Sequence, residues 1–133
     1  MRKIALITGV SGGIGSAIAQ ECIKNNIFVI GLYFKKYPDV FKGNDSVCLK
    51  KLDITDSRAS EKLIKECLSE GLVPNILINN AGIVCDAMFH KMTLVEWERV
   101  MFTNLVSLFN LTQPVFSEMR KSRYGRIVNI SSI

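Results

Sequence analysis

An apolar run at residues 3–8 ends abruptly in Thr8-Gly9-Val10-Ser11-Gly12-Gly13-Ile14-Gly15, and past it Ile14, Ala17, Ile18 and Cys22 recur at helical spacing. Four glycines between a short apolar strand and a helix demand a tight turn that side chains would obstruct. A strand that turns at once into a helix opens a β-α-β unit, whose second strand runs parallel to the first. The helix fades at Asn25-Asn26, and residues 27–33 supply that second strand.

The rest of the chain keeps the alternation. A loop with Pro38, Gly43 and Asn44 leads to a third strand at residues 46–52, and Asp56 can cap a helix that buries Ala59, Leu63, Ile64, Cys67 and Leu68. Gly71 and Pro74 precede a fourth strand at residues 76–79. Thr93 and Glu96 have capping-box spacing, ahead of an apolar stripe at Trp97, Met101, Leu105, Leu108, Thr112, Val115 and Met119. Pro114 inside that stripe predicts a kink or a break, and Gly125 ends the helix before a fifth strand at residues 126–131. The order predicts an α/β fold, a doubly wound Rossmann-type parallel sheet with helices on both faces. At 133 residues the chain has room for one domain, over residues 1–133.

Composition narrows the function classes. With 48% hydrophobic and 22% charged residues, wholesale disorder is excluded. No apolar run approaches the roughly 18 residues of a membrane span, and Thr8-Gly9 cuts the first run short of a secretory core, so a cytoplasmic protein is expected. Cys22, Cys48, Cys67 and Cys85 form no C-x-x-C pair and His90 is the one histidine, which argues for buried thiols rather than zinc or disulfides. The net charge of +5 permits an anionic partner, but outside Arg120, Lys121, Arg123 and Arg126 the cations are scattered, with no nucleic-acid-binding motif.

A glycine loop at a helix start lets backbone N–H groups approach a pyrophosphate, although the same glycines could serve only as a connecting turn. The spacing is G-x-x-x-G-x-G rather than G-x-G-x-x-G. Three further motifs follow in order: Asn79-Asn80-Ala81-Gly82 closing the fourth strand, Asn104 within a helix, and Val128-Asn129-Ile130-Ser131-Ser132 near the end. With T-G-x-x-x-G-x-G these resemble the short-chain dehydrogenase/reductase family, over the whole chain. The resemblance implies that Gly9, Ser11, Gly13, Ile14 and Gly15 hold the pyrophosphate of a nicotinamide cofactor. It implies that Asn80, Ala81 and Gly82 line the cofactor ribose while the turn stabilises the sheet.

Selectivity for NADH calls for an acid near the end of strand two, to accept from the ribose 2′-hydroxyl. That position holds Tyr33, followed by Phe34, Lys35 and Lys36, and the one acid between Gly15 and Asp39 is Glu21. Cations there can neutralise a 2′-phosphate, which favours NADPH over NADH, or they can be solvated loop charges. Asp53-Ile54 resembles the family's adenine-binding acid and its neighbour, and equally suits a turn into the next helix.

Carbonyl reduction needs a positioned nicotinamide, a donor that polarises the carbonyl and an acid that delivers a proton. By resemblance Ser132 is the polarising serine, with Ser131 the runner-up, and Asn104 holds a relay water. The family's Tyr-x-x-x-Lys pair is absent, since position +4 is Tyr37, Phe41 and Val128 after the three tyrosines. In the family that pair lies just over a dozen residues past the serine, so truncation is expected here, with the fifth strand left as a bare apolar edge. The stretch from Ile76 to Ser132 resembles reductases of 3-oxoacyl thioesters carried on CoA or acyl carrier protein, usually homo-oligomers. The basic cluster ending at Arg126 fits such anionic carriers, or simply complements a helix C-terminus. The alternative is a catalytically inactive remnant that at most binds nucleotide or associates with other subunits.

Overall fold

The computed structural model describes residues 2–84 and 86–131. Five parallel strands, β1 (Ile4–Thr8), β2 (Phe28–Tyr33), β3 (Val47–Lys51), β4 (Ile76–Asn79) and β5 (Arg126–Asn129), lie in the order β3-β2-β1-β4-β5. The expected doubly wound sheet is therefore present, with strand ends within two residues of the sequence reading. β1 is central and buried throughout, as a parallel strand covered on both faces must be.

Alternation along β1 divides its side chains between two cores. Ile4 and Leu6 join Ile30, Leu32 and Leu77 under helices α2 (Ser57–Ser69) and α4 (Ser107–Ser122), while Ala5 and Ile7 join Val29 and Ile78 under α1 (Gly13–Lys24). Asp56 caps α2 by accepting from the Ala59 N–H at 3.0 Å, and Leu63, Ile64 and Cys67 form its buried face. Cys22, Cys48 and Cys67 are free thiols, and burial pushes the Cys67 thiol up to about 11. Its raised value leaves it protonated in the folded chain where the unfolded thiol ionises, so stability is expected to fall as pH rises from about 9 to about 11. Urea midpoints across that window check this. Cys67→Ala should flatten the slope, and an equal slope in the variant would assign it to another group.

The long helix departs from expectation. Thr93 and Glu96 do form a capping box, starting α3 (Leu94–Met101). The chain does not break at Pro114, where α4 continues from Ser107 to Ser122; the irregularity lies upstream, in a π-turn at Phe102–Val106. Buried Leu111, Val115 and Met119 hold α4 on both sides of the proline. Neither α3 nor the π-turn buries any residue, so the expected apolar stripe is buried only along α4. Val115 and Met119 are buried, whereas Trp97, Met101 and Leu105 are exposed, and Ser107 and Leu111 take their place. β5 is an edge strand with all four residues exposed. Among the described residues no helix is long and apolar enough to cross a membrane.

Candidate functional site

Because every strand is parallel, Thr8, Tyr33, Lys51, Asn79 and Asn129 all end at one edge of the sheet. β1 has β2 on one side and β4 on the other, so the chain reverses its winding direction there, the place where open α/β sheets form a binding crevice. The glycine loop and the Asn79–Gly82 segment leave the sheet at that point.

The two are locked together through Thr8. Its Oγ1, in a side chain 3% exposed, accepts from the Asn80 N–H at 2.9 Å and the Ala81 N–H at 2.8 Å. The Asn80 amide returns bonds to the carbonyls of Thr8 at 3.2 Å and Gly9 at 3.3 Å. Gly9 has φ +66°, a left-handed conformation that favours glycine. Gly15 is required for close approach, since a Cβ there would lie 2.2 Å from the Gly9 carbonyl oxygen.

Gly13 behaves oppositely. A Cβ on it would meet nothing within 4 Å, so the start of α1 faces open space. No side chain caps this helix and no acid occupies its first turn. The N–H groups of Gly13, Ile14 and Gly15 have no acceptor among the described residues. Unpaired donors at the positive end of a helix dipole, reached over glycine, fit a phosphate group. Ser11 donates through Oγ to the Lys36 carbonyl, drawing the end of β2 beside the loop. Lys35 and Lys36 are exposed there, and Tyr33 packs edge-on against Tyr37 with ring centroids 5.2 Å apart.

Two residues that the resemblance singles out spend side-chain hydrogen bonds on neighbouring segments. Asn104 sits within the π-turn, and its amide is occupied on both sides by Ile83, accepting from the N–H and donating to the carbonyl, each at 2.8 Å. A Cβ on Gly82 would come 3.1 Å from that same amide oxygen, so Gly82 leaves the room for it. Asp53 closes an Asx-turn, with Oδ1 accepting from the Thr55 N–H at 3.0 Å and hydroxyl at 2.6 Å. Its second oxygen and the Ile54 N–H have no partner among the described residues.

Ser132 lies outside the described residues, as does Cys85. The strand that leads to Ser132 is braced by Asn79, whose amide donates to Asn129 at 2.9 Å and to Thr112 at 3.3 Å. Sequence reasoning gave no site role to Thr8 and read Asn79 only as part of a motif, because their partners lie 33 to 73 positions away. In the basic cluster, Lys121 pairs with Glu118 and Arg126 lies over the Tyr124 ring, which leaves Arg120 and Arg123 as its uncommitted cations among the described residues. Arg123 takes the left-handed position after α4, at φ 54°.

A family model described as short chain dehydrogenase matches residues 3–133. Acetoacetyl-CoA reductase of Paracoccus denitrificans is 44% identical over 137 residues, covering 100% of the chain and 56% of that protein. The 3-oxoacyl-(acyl-carrier-protein) reductase FabG of Haemophilus influenzae is 36% identical, covering 98% and 55%. A crystal structure of a short-chain dehydrogenase from Streptomyces avermitilis superposes with a TM-score of 0.91 at 28% identity, over 98% of the chain and 49% of its own. The chain spans about half the length of the curated relatives it matches.

Proposed function

Because the chain belongs to the short-chain dehydrogenase family, we propose that it carries the nucleotide cleft and polarising serine of an NADPH-dependent reductase of 3-oxoacyl thioesters. The observation that carries this reading is the open, uncapped start of α1 over Gly13, beside the brace between Thr8 and the Asn80 turn. The thioester substrate, on CoA or an acyl carrier protein, is taken from the names of relatives 44% and 36% identical.

Bound NADPH supplies a hydride to the C3 carbonyl carbon, and a proton to its oxygen completes the 3-hydroxyacyl product. Gly13, Ile14 and Gly15 present backbone N–H groups to the pyrophosphate, with Gly9 and Ser11 shaping the loop. Asn80, Ala81 and Gly82 line the ribose, and Asp53 and Ile54 offer at the adenine end a carboxylate oxygen and an N–H that have no partner among the described residues. Ser132 donates a hydrogen bond to the substrate carbonyl and polarises it. Asn104, in the π-turn, holds a proton-relay water, as the resemblance implies. The resemblance implies that a tyrosine, with a lysine four positions on, delivers the proton. The exposed face of Trp97, Met101, Phe102, Leu105 and Phe109 suits a homo-oligomer, and Arg120 and Arg123 suit an anionic carrier.

The test is NADPH consumption by the full-length polypeptide with acetoacetyl-CoA and with a 3-oxoacyl carrier protein. Stoichiometric 3-hydroxyacyl product is expected, and no turnover with either thioester would overturn the reading. In the same assay, Lys35→Glu with Lys36→Glu should raise the KM for NADPH about tenfold and leave that for NADH unchanged, the effect of losing an exposed charge-assisted contact to a phosphate. Equal changes for both cofactors would remove the lysines from the 2′-phosphate.

A further inference from the structure

Asn110 has no part in the reading above. It lies half-buried on α4, and its Nδ2 donates to the main-chain carbonyl of Ile54 at 2.9 Å, across 56 positions of sequence. The Ile54 side chain packs against the core that contains Leu6, Leu32 and Leu63, but by hydrogen bonds the turn is otherwise closed only on itself and on the helix it leads into. Asp53 accepts from Thr55, the Asp56 N–H donates to the Asp53 carbonyl at 3.1 Å, and Asp56 caps α2. Among the described residues, Asn110 makes the one hydrogen bond that reaches residues 53–55 from another element.

The partner peptide matters because of what it leaves free. The Ile54 N–H and the second Asp53 oxygen both lack a partner among the described residues, so their direction is set by how the turn is held. The Ile54 carbonyl shares its peptide plane with the Thr55 N–H, which donates to Asp53 Oδ1, so the Asn110 bond fixes the plane that orients the Asp53 carboxylate. The Ile54 N–H lies in the preceding plane, whose carbonyl accepts from the Asp56 N–H. Six residues earlier on the same helical run, Asn104 pins Ile83 in the segment after β4. The run from the π-turn into α4 thus ties together the segments that follow β3 and β4.

We propose that Asn110 is a positioning residue for the adenosine end of the cofactor, acting through the Ile54 carbonyl and not by touching the nucleotide. The inference rests on the nucleotide-binding reading. Its test uses the full-length polypeptide and three probes in calorimetry: adenosine 2′,5′-bisphosphate, reduced nicotinamide mononucleotide and NADPH. Asn110→Leu keeps the volume and removes the donor. It should weaken the bisphosphate and NADPH about tenfold, leave the mononucleotide unchanged, and speed amide hydrogen exchange at Thr55. If that variant unfolds, Asn110→Gln makes the same discrimination, because its longer arm displaces the turn while keeping a polar group. Unchanged bisphosphate affinity, or equal weakening of both half-ligands, would overturn the role of Asn110. Failure of the parent protein to bind any of the three would instead overturn the nucleotide reading, and this inference with it.

Discussion

Gly15→Ala is expected to lower the melting temperature by about 10 °C and to weaken NADPH binding severely, although it adds a single methyl group. The added Cβ would lie 2.2 Å from the Gly9 carbonyl oxygen, 2.9 Å from the Gly9 carbonyl carbon and 2.7 Å from the Asn80 amide nitrogen. Two of these are backbone atoms, so no side-chain rotation relieves the overlap. Either α1 moves off the loop or the loop moves off the Asn80 turn. Overpacking of this kind costs about 3 kcal/mol, which converts to the stated shift for a domain this small. Gly13→Ala, two residues away, should do the reverse for stability. Its Cβ meets nothing, and alanine is the better helix former by up to about 1 kcal/mol. It fills the space through which a pyrophosphate would approach, so affinity should still fall. Thermal melts and NADPH fluorescence titrations of the two variants give opposite stability signs and the same binding sign. A Gly15→Ala protein with the parent's melt would mean that the helix and loop are not in contact.

Those glycines were legible in the sequence because their requirement is local, a turn between one strand and the next helix. The capping box at Thr93 and the cap at Asp56 were legible for the same reason, since donor and acceptor lie three residues apart. The π-turn was not. Its hydrogen-bonding pattern has no marker of its own, whereas Pro114 is a conspicuous one, so the irregularity was placed twelve residues too late, measured from Phe102 to Pro114. The apolar stripe departs from its expected course because α3 and the π-turn bury none of their residues, which spacing alone does not reveal. The bonding partners of the Asn104 and Asp53 side chains are not legible in the sequence for a different reason. A family motif says which residue stands at a position, but not which of its atoms are already engaged by neighbours. Both side chains are polar groups near a crevice, and both spend hydrogen bonds on shaping it. Contacts such as Asn110 to Ile54 depend on tertiary approach of segments far apart in sequence, which no local pattern encodes.

Thr8 carries the second large effect. Thr8→Val is nearly isosteric and keeps a β-branched residue at the end of β1, so strand propensity is unchanged. What it removes is the single oxygen that accepts from both Asn80 and Ala81, at 2.9 and 2.8 Å. Two part-buried N–H groups then face a methyl group, at about 1–3 kcal/mol each, and a loss of about 3 kcal/mol is expected. The Asn80 side chain would still bond to the Thr8 and Gly9 carbonyls, because those acceptors are main-chain atoms. The turn should therefore loosen rather than detach. Nucleotide affinity should fall about tenfold, as the Asn80–Gly82 backbone drifts from the glycine loop that it borders. Thr8→Ser separates the polar role from the packing role, since it keeps the oxygen and drops the methyl group. Recovery of affinity in the serine variant, with a smaller deficit in its melt, is the expected pattern. If valine binds NADPH as the parent does and serine does not, then the methyl group holds the site and the hydroxyl is incidental.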